Sequence, residues 1–391
     1  MGKRPYPAHP MADSPSSKPA VLFTAFEPSG DALAAPVIKA IRAARSDWDV
    51  YAWGGPKMAA AGAKMAGETS ADGAMGLGAL LKAREVRGQV KAIQRWMKNC
   101  RLMLHVPVDS PAANFPLCAT SKKIGAKVVH LAAPQMWAWG GWRVKKLRRL
   151  TDLVLCLLPF EPDWFGQRGV NCRFVGHPAI NREVDIDDLK SRLHGLPQGA
   201  PRVALFPGSR TQEVRRNLGL MADFFEQFRQ RHSGAAGLIV AASDLAAERV
   251  QRFLGEFPHG LSMVTGMRDE AITWADFNVA VSGTVTLDLM RQCAPMIGVY
   301  KVSTPTYLAA KVLIRSKHRL LPNLIAGQRI VPEFVPYCRG PGPLVDQAMW
   351  LIDDSRRMAA QRQGLRQNLA QYKGHRFADE CVHAITDLVG Q

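Results

Sequence analysis

Apolar runs rich in Val, Leu and Ile recur along this chain, alternating with segments in which Ala, Leu, Val and Ile return at helical spacing. Val21–Phe26 is followed by such a segment over Asp31–Ala44. Val50–Trp53 runs into Gly54-Gly55-Pro56, Leu102–Val108 into Asp109, Lys127–Leu131 into a Pro-Trp turn, and Leu153–Leu158 into Pro159. Strand, turn and helix in repetition predict a mostly parallel sheet covered on both faces, so the first half reads as one doubly wound α/β domain. The alternation pauses over the polar stretch 181–201, which carries Gly195, Pro197, Gly199 and Pro201. It restarts with Val203–Phe206, Gly237–Ala242, Ser262–Val264, Phe277–Val281 and Met296–Val299, and from Gly342 onward the pattern is helical and basic. The expected division is a disordered leader (1–19), an N-terminal sheet domain (20–180), a linker (181–201), a second sheet domain (202–341) and C-terminal helices (342–391) that return to brace the first.

Composition narrows the picture. The 391 residues, 47% of them hydrophobic, suffice for two cores. The net charge of +18, from 51 Lys+Arg against 33 Asp+Glu, points to a phosphorylated substrate, an acidic membrane surface or nucleic acid, unless it marks a generally basic proteome. Seven dispersed Cys residues with no C-x-x-C pair argue for reduced thiols and against a disulfide framework or structural zinc. The first twenty residues lack the apolar core of a signal peptide, and Met11 is an acceptable alternative start. No run reaches the roughly 18 apolar residues of a membrane span, so membrane contact is expected to be peripheral.

Candidate chemistry gathers at turns that follow strands. Glu27-Pro28-Ser29-Gly30-Asp31 lies between the first strand and first helix, where Ser29 or Asp31 can cap and Gly30 permits close backbone approach; a structural cap explains it equally. Asp109 at a strand exit is a candidate base or a loop cap. Trp137-Ala138-Trp139, followed by Arg143, Lys145, Lys146, Arg148 and Arg149, offers aromatic faces beside positive charge, yet nothing matches an RNA-recognition or helix-turn-helix signature, so no nucleic acid is expected. Gly208, Ser209 and Arg210 form the first turn of the second domain, with Glu213 one turn on; a Gly-rich turn with Arg suits a diphosphate, and it is not a Walker A loop. Ser282-Gly283-Thr284 ends an apolar run and starts a helix, and Asp288 within it is placed to reach a ribose or to serve the helix dipole. Asn323, Gln328 and Glu333 belong to what reads as a long, specific loop. Leu80 and Leu81 precede a helical pattern with an apolar stripe (Val86, Val90, Ile93, Met97) and a basic one (Arg84, Arg87, Lys91, Arg95, Lys98), which reads equally as a membrane-surface helix or a sheet cover.

Together these pieces resemble the lipid-A-disaccharide synthase family from about Val21 to the end. The most specific are Trp137-Ala138-Trp139, Leu157-Leu158-Pro159-Phe160-Glu161, Phe174-Val175-Gly176-His177-Pro178, Pro207-Gly208-Ser209-Arg210, Ser282-Gly283-Thr284, and Pro322-Asn323-Leu324 with Ala326-Gly327. The resemblance implies a GT-B fold, with two Rossmann-like doubly wound domains facing a cleft and C-terminal helices returning to the N-terminal domain. It implies transfer from UDP-diacylglucosamine to diacylglucosamine 1-phosphate with inversion to a β(1→6) link, at the inner face of the cytoplasmic membrane, without cofactor or metal. A homodimer is left open. By the resemblance Asp109 is the base; Glu27, Ser29, Gly30, Asp31, Asn114, Trp137 and Trp139 meet the acceptor. Gly208, Ser209, Arg210, Glu213, Ser282, Gly283, Thr284, Asp288, Asn323 and Gln328 hold UDP. Four positions depart from the family: Phe26 stands for Gly, Ala112 for the second Asp of Ile-Asp-Ala-Pro-Asp-Phe-Asn, Asp288 for Glu and Gln328 for Arg. Another UDP-sugar enzyme of GT-B type, such as a 2-epimerase, and a non-catalytic nucleotide- or lipid-binding relative are the alternatives.

Overall fold

A computed structural model describes residues 18–69, 79–313 and 316–390. The chain forms two compact units, one made of residues through Asn181 together with those from Gly374 onward, the other of Arg182–Lys373. The expected leader lies almost wholly outside the described residues, as do the side chains of Leu80 and Leu81.

The first unit holds seven strands, β1 (Ala20–Thr24), β2 (Asp49–Gly54), β3 (Lys64–Glu68), β4 (Leu102–Pro107), β5 (Lys127–Leu131), β6 (Leu153–Cys156) and β7 (Cys172–Phe174), ordered β3-β2-β1-β4-β5-β6-β7. The second holds β8 (Arg202–Phe206), β9 (Ala236–Ala241), β10 (Leu261–Thr265), β11 (Phe277–Val281), β12 (Met296–Lys301) and β13 (Glu333–Tyr337), ordered β10-β9-β8-β11-β12-β13. The strand pairs in both sheets are parallel. Central strands such as β6 and β9 are buried along their whole length, which is why they read as unbroken apolar runs.

Three strands escape the sequence pattern: β3 (Lys-Met-Ala-Gly-Glu), β7 (Cys-Arg-Phe) and β13 (Glu-Phe-Val-Pro-Tyr). All lie at sheet edges, where one flank is unpaired and polar residues and Pro are tolerated. The stretch 322–333 is not the expected long loop. It holds a helix (Leu321–Ala326), closed by Gly327 at φ +65°, and the first residue of β13.

The C-terminal expectation needs correcting too. Helices Gly342–Ile352 and Ser355–Ala370 stay in the second unit, where Leu344, Val345, Ala348, Leu351 and Met358 join its core. Only helix Phe377–Val389 returns to the first, packing Phe377, Cys381, Ala384 and Ile385 with Val21, Phe23 and Ile38. Nor is 182–201 a free linker. Asp185 caps helix Ile186–Ser191 by accepting from the Asp187 and Asp188 amides, and Trp274 donates its indole N–H to the Pro197 carbonyl. Helix Ala79–Lys98 resolves in favour of sheet cover, since Val90, Ile93 and Met97 are buried among Leu22, Leu102 and Leu117 while its basic residues face solvent.

Candidate functional site

In each sheet the strand order reverses at the first strand, so the loops after β1 and β4, and after β8 and β11, lead to opposite faces. Open α/β sheets bind ligands in the crevice this leaves at the strands' carboxyl ends. Of the sequence candidates, Glu27, Ser29, Gly30 and Asp31 follow β1, Asp109 and Asn114 follow β4, Gly208, Ser209, Arg210 and Glu213 follow β8, and Ser282, Gly283, Thr284 and Asp288 follow β11, whereas Trp137 and Trp139 follow β5 and Asn323 and Gln328 lie between β12 and β13.

In the first unit, Glu27 sits at the start of helix Pro28–Ala44 and is half-buried, with Ser29 exposed. Gly30 faces inward, and a Cβ there would come within 3.1 Å of Ala25 Cβ. Asp31 is buried, its carboxylate accepting from the backbone N–H groups of Gly55 (3.0 Å), Lys57 (3.0 Å) and Met58 (2.9 Å). It pins the neighbouring βα turn, so the Asp31 carboxylate is not presented to an acceptor.

Asp109 and Ser110 follow β4 with φ of +46° and +42°. Two successive non-glycine residues in the left-handed region are costly, about 1–2 kcal/mol each. The Asp109 amide donates to the Leu131 carbonyl (2.9 Å) and that of Val108 to Thr24 (2.9 Å). Asn114 is fully buried; its amide donates to the carbonyls of Val108 (3.1 Å) and Asp109 (2.7 Å), and its oxygen accepts from Thr24 Oγ1 (2.8 Å). Asn114 therefore holds the turn and presents nothing to a substrate. Ala112 is exposed in the first turn of helix Pro111–Lys123.

The loop after β5 carries Trp137, whose ring meets Phe160 edge-on (5.1 Å) and whose indole N–H donates to Glu161 Oε1 (3.1 Å). The other Glu161 oxygen accepts from the amides of Leu157 and Leu158 (both 3.0 Å). Burial raises this carboxyl to about 7 against the lowering effect of those three donors. Trp139 is exposed, with the Arg143 guanidinium 4.2 Å from its ring centre.

In the second unit, Gly208 has φ +110°, and a Cβ there would collide with Glu213 Oε2 at 2.7 Å. That oxygen accepts from the amides of Ser209 and Arg210 (both 3.2 Å), and Oε1 meets the Arg210 guanidinium (3.1 Å). Glu213 thus shapes the turn and presents Arg210, whose side chain is 65% exposed, to solvent. After β11, Ser282 Oγ donates to the Arg319 carbonyl (3.2 Å), a Cβ on Gly283 would meet nothing within 4 Å, and Thr284 is exposed.

Two sequence candidates have other occupations. Asp288 is buried and ion-paired with Arg268 (2.6 Å), Arg291 (3.4 Å) and Arg182 (3.7 Å), so it is not presented to a ribose. Asn323 is buried, its oxygen accepting from the Ile330 and Val331 amides and its amide donating to the Val331 carbonyl and Glu333. It closes the segment between its helix and β13. Gln328 is exposed. Residues that sequence reasoning missed are Thr24, His105, Arg268 and the clamping role of Glu161; a lone His inside an apolar strand gives no signal of its partners. Among the described residues no group of three or more His, Cys, Asp or Glu could hold a metal ion.

Known proteins match this arrangement. The sequence profile of a family described as lipid-A-disaccharide synthetase matches residues 21–385. A lipid-A-disaccharide synthase of Pseudomonas aeruginosa (strain UCBPP-PA14) is 33% identical, the match covering 85% of this chain and 89% of that protein. One from Anaeromyxobacter sp. (strain K) is 31% identical, covering 91% and 94%. Among solved structures, the S. aureus MnaA–UDP co-structure superposes with a TM-score of 0.64 at 11% identity, over 95% of this chain and 98% of that one. The UDP-GlcNAc 2-epimerase of Neisseria meningitidis bound to UDP-GlcNAc gives 0.64 at 9%, over 96% and 100%. At such identities the structural likeness shows the GT-B fold.

Proposed function

The chain belongs to the lipid-A-disaccharide synthetase family, and on that premise we propose that it joins UDP-diacylglucosamine and diacylglucosamine 1-phosphate into the β(1→6) disaccharide 1-phosphate, releasing UDP. The observation that supports the reading is that Glu27, Asp109, Arg210 and the Ser282–Thr284 turn stand in the loops at the switch points of their sheets. Asp109 accepts the proton of the acceptor 6-hydroxyl as that oxygen bonds to the donor's anomeric carbon. The bond from that carbon to the UDP oxygen breaks with inversion, and the electron pair leaves with UDP. The exposed Arg210 guanidinium and the open Ser282–Thr284 turn supply positive charge and donors to the departing diphosphate. Gly208 and Glu213 set the shape of the first of these turns.

Acylated substrates favour work at an anionic membrane surface, on the cytoplasmic side. The exposed basic face of helix Ala79–Lys98 supports this reading, and no described helix is long and apolar enough to cross a membrane. Ala112 favours one second reading, a nucleotide-binding relative without turnover, since the family's second carboxylate is missing beside Asp109.

The test is UDP release from the two substrates by the wild type, Asp109→Asn and Arg210→Ala. Asp109→Asn is expected to lower kcat by about 10²–10⁴-fold, and Arg210→Ala to weaken donor use. UDP binding without release by the wild type would favour the second reading.

A further inference from the structure

The cost of two consecutive left-handed residues directs attention to what enforces them. Asn114, Thr24, His105 and Ser121 form an unbroken buried chain that ends on the backbone of Asp109. Thr24 Oγ1 lies 2.9 Å from His105 Nε2, and Ser121 Oγ lies 2.8 Å from His105 Nδ1. The proton positions follow from one another. Both amide hydrogens of Asn114 go to carbonyls, so its oxygen must accept, and Thr24 must donate to it. A hydroxyl has one hydrogen, so His105 must donate from Nε2 to Thr24. A neutral ring then has only a lone pair at Nδ1, which competes with the Leu117 carbonyl (3.1 Å) for the single hydrogen of Ser121.

We infer that Ser121, His105, Thr24 and Asn114 are positioning residues that fix the Asp109–Ser110 turn in its left-handed form and so aim the Asp109 carboxylate. This rests on Asp109 serving as base. The chain draws on three elements: Thr24 closes β1, His105 lies within β4, and Asn114 and Ser121 lie two turns apart on helix Pro111–Lys123. Strain of this kind persists only where surrounding structure over-determines it. Here the Asn114 amide and the backbone bonds to Leu131 and Thr24 hold the turn, and one tautomer of His105 orients Asn114 through Thr24. Burial, with a smaller push from His130, lowers the His105 pKa to about 3, so the tautomer holds across working pH. Thr24, His105, Asn114 and Ser121 all belong to the first unit, so their loss should touch the chemical step rather than donor binding.

Thr24→Val keeps the shape and removes the relay hydroxyl; Thr24→Ser restores it. Thr24→Val is expected to lower kcat about 10–100-fold, as a displaced catalytic group does, with the donor KM within about twofold, and Thr24→Ser to regain most of the rate. Unchanged kcat in Thr24→Val, or equal damage in Thr24→Ser, overturns the inference. Ser121→Ala breaks the same chain at its far end and gives a readable kcat should Thr24→Val fail to fold; an unchanged kcat there overturns it likewise. Asp109→Asn run alongside separates the two claims. An inactive Asp109→Asn beside a fully active Thr24→Val removes the positioning role alone. An active Asp109→Asn beside an impaired Thr24→Val removes the base alone, the turn then acting through its backbone.

Discussion

Glu161 shows how one buried carboxyl ties the loop after β5 to the frame. It receives two backbone amides and the Trp137 indole, yet desolvation outweighs them and its pKa rises to about 7. The sign follows: a raised carboxyl contributes stability that is fully present below the unfolded value near 4.5 and is lost as pH rises through about 7. Two outcomes are expected. The difference in tryptophan emission between wild type and Glu161→Gln should titrate near pH 7, because the hydrogen-bond partner of Trp137 changes charge there. Glu161→Gln should also flatten the decline in thermal stability between pH 4.5 and 7. A difference spectrum that does not change from pH 5 to 8 would disprove the link between this carboxyl and Trp137.

At the scale of elements, the arginine cluster of the second unit decides how two helices stay together. Asp288, on helix Val285–Arg291, is buried against Arg268 of helix Arg268–Trp274 and against Arg291 of its own helix, and Asp269 also pairs with Arg291 (2.7 Å). Asp288→Ala leaves the nearly buried Arg291 with half its compensation. The expected cost is about 3 kcal/mol, the low end for a broken buried pair because Arg268 and Arg182 are half in water. A shift of the urea midpoint at unchanged slope would measure it, and a shift worth under about 0.5 kcal/mol, the size expected of ordinary surface sites, would show the cluster to be ornamental. The sequence could show Asp288 on a helix after an apolar strand, but not that arginines distant along the chain would claim it. The same limit runs through the molecule. Strands buried on both faces were legible because burial demands apolar residues at every position; β3, β7 and β13 were not, because an edge makes no such demand. Asp109 and Arg210 were legible as charged residues at strand exits. Asn114 and Asn323 were legible as motif members only, since an amide that clamps backbone and one that meets a ligand look alike until the carbonyls around them are placed.

For the whole molecule, the two units should part company in acid. His105, His130 and His177 are buried, and desolvation lowers their pKa values to about 3, about 4 and about 4. All three belong to the first unit. In the unfolded chain each takes up a proton near pH 6.5 while the folded ring stays neutral. Stability is therefore complete above that pH and falls as pH drops toward the folded values. Each such proton is worth about 1.4 kcal/mol per pH unit, so the three together approach ~4 kcal/mol per unit near pH 5. Glu161 opposes with one proton of the other sense between 4.5 and 7, leaving a net uptake of about two. His130 is fully buried, and desolvation outweighs the nearby backbone of Ala132 and Leu131 that favours its charged form, so His130→Phe removes a group that protonates more readily in the unfolded chain and should make the acid limb shallower. Hydrogen exchange at pH 5 should accordingly show β1, β4 and β5 opening while β8 and β11 remain protected, and helix Phe377–Val389 should open with the first group although it lies at the far end of the chain. Simultaneous opening of both sheets would mean that the units do not unfold independently, and the buried histidines would then set the acid limit of the entire protein.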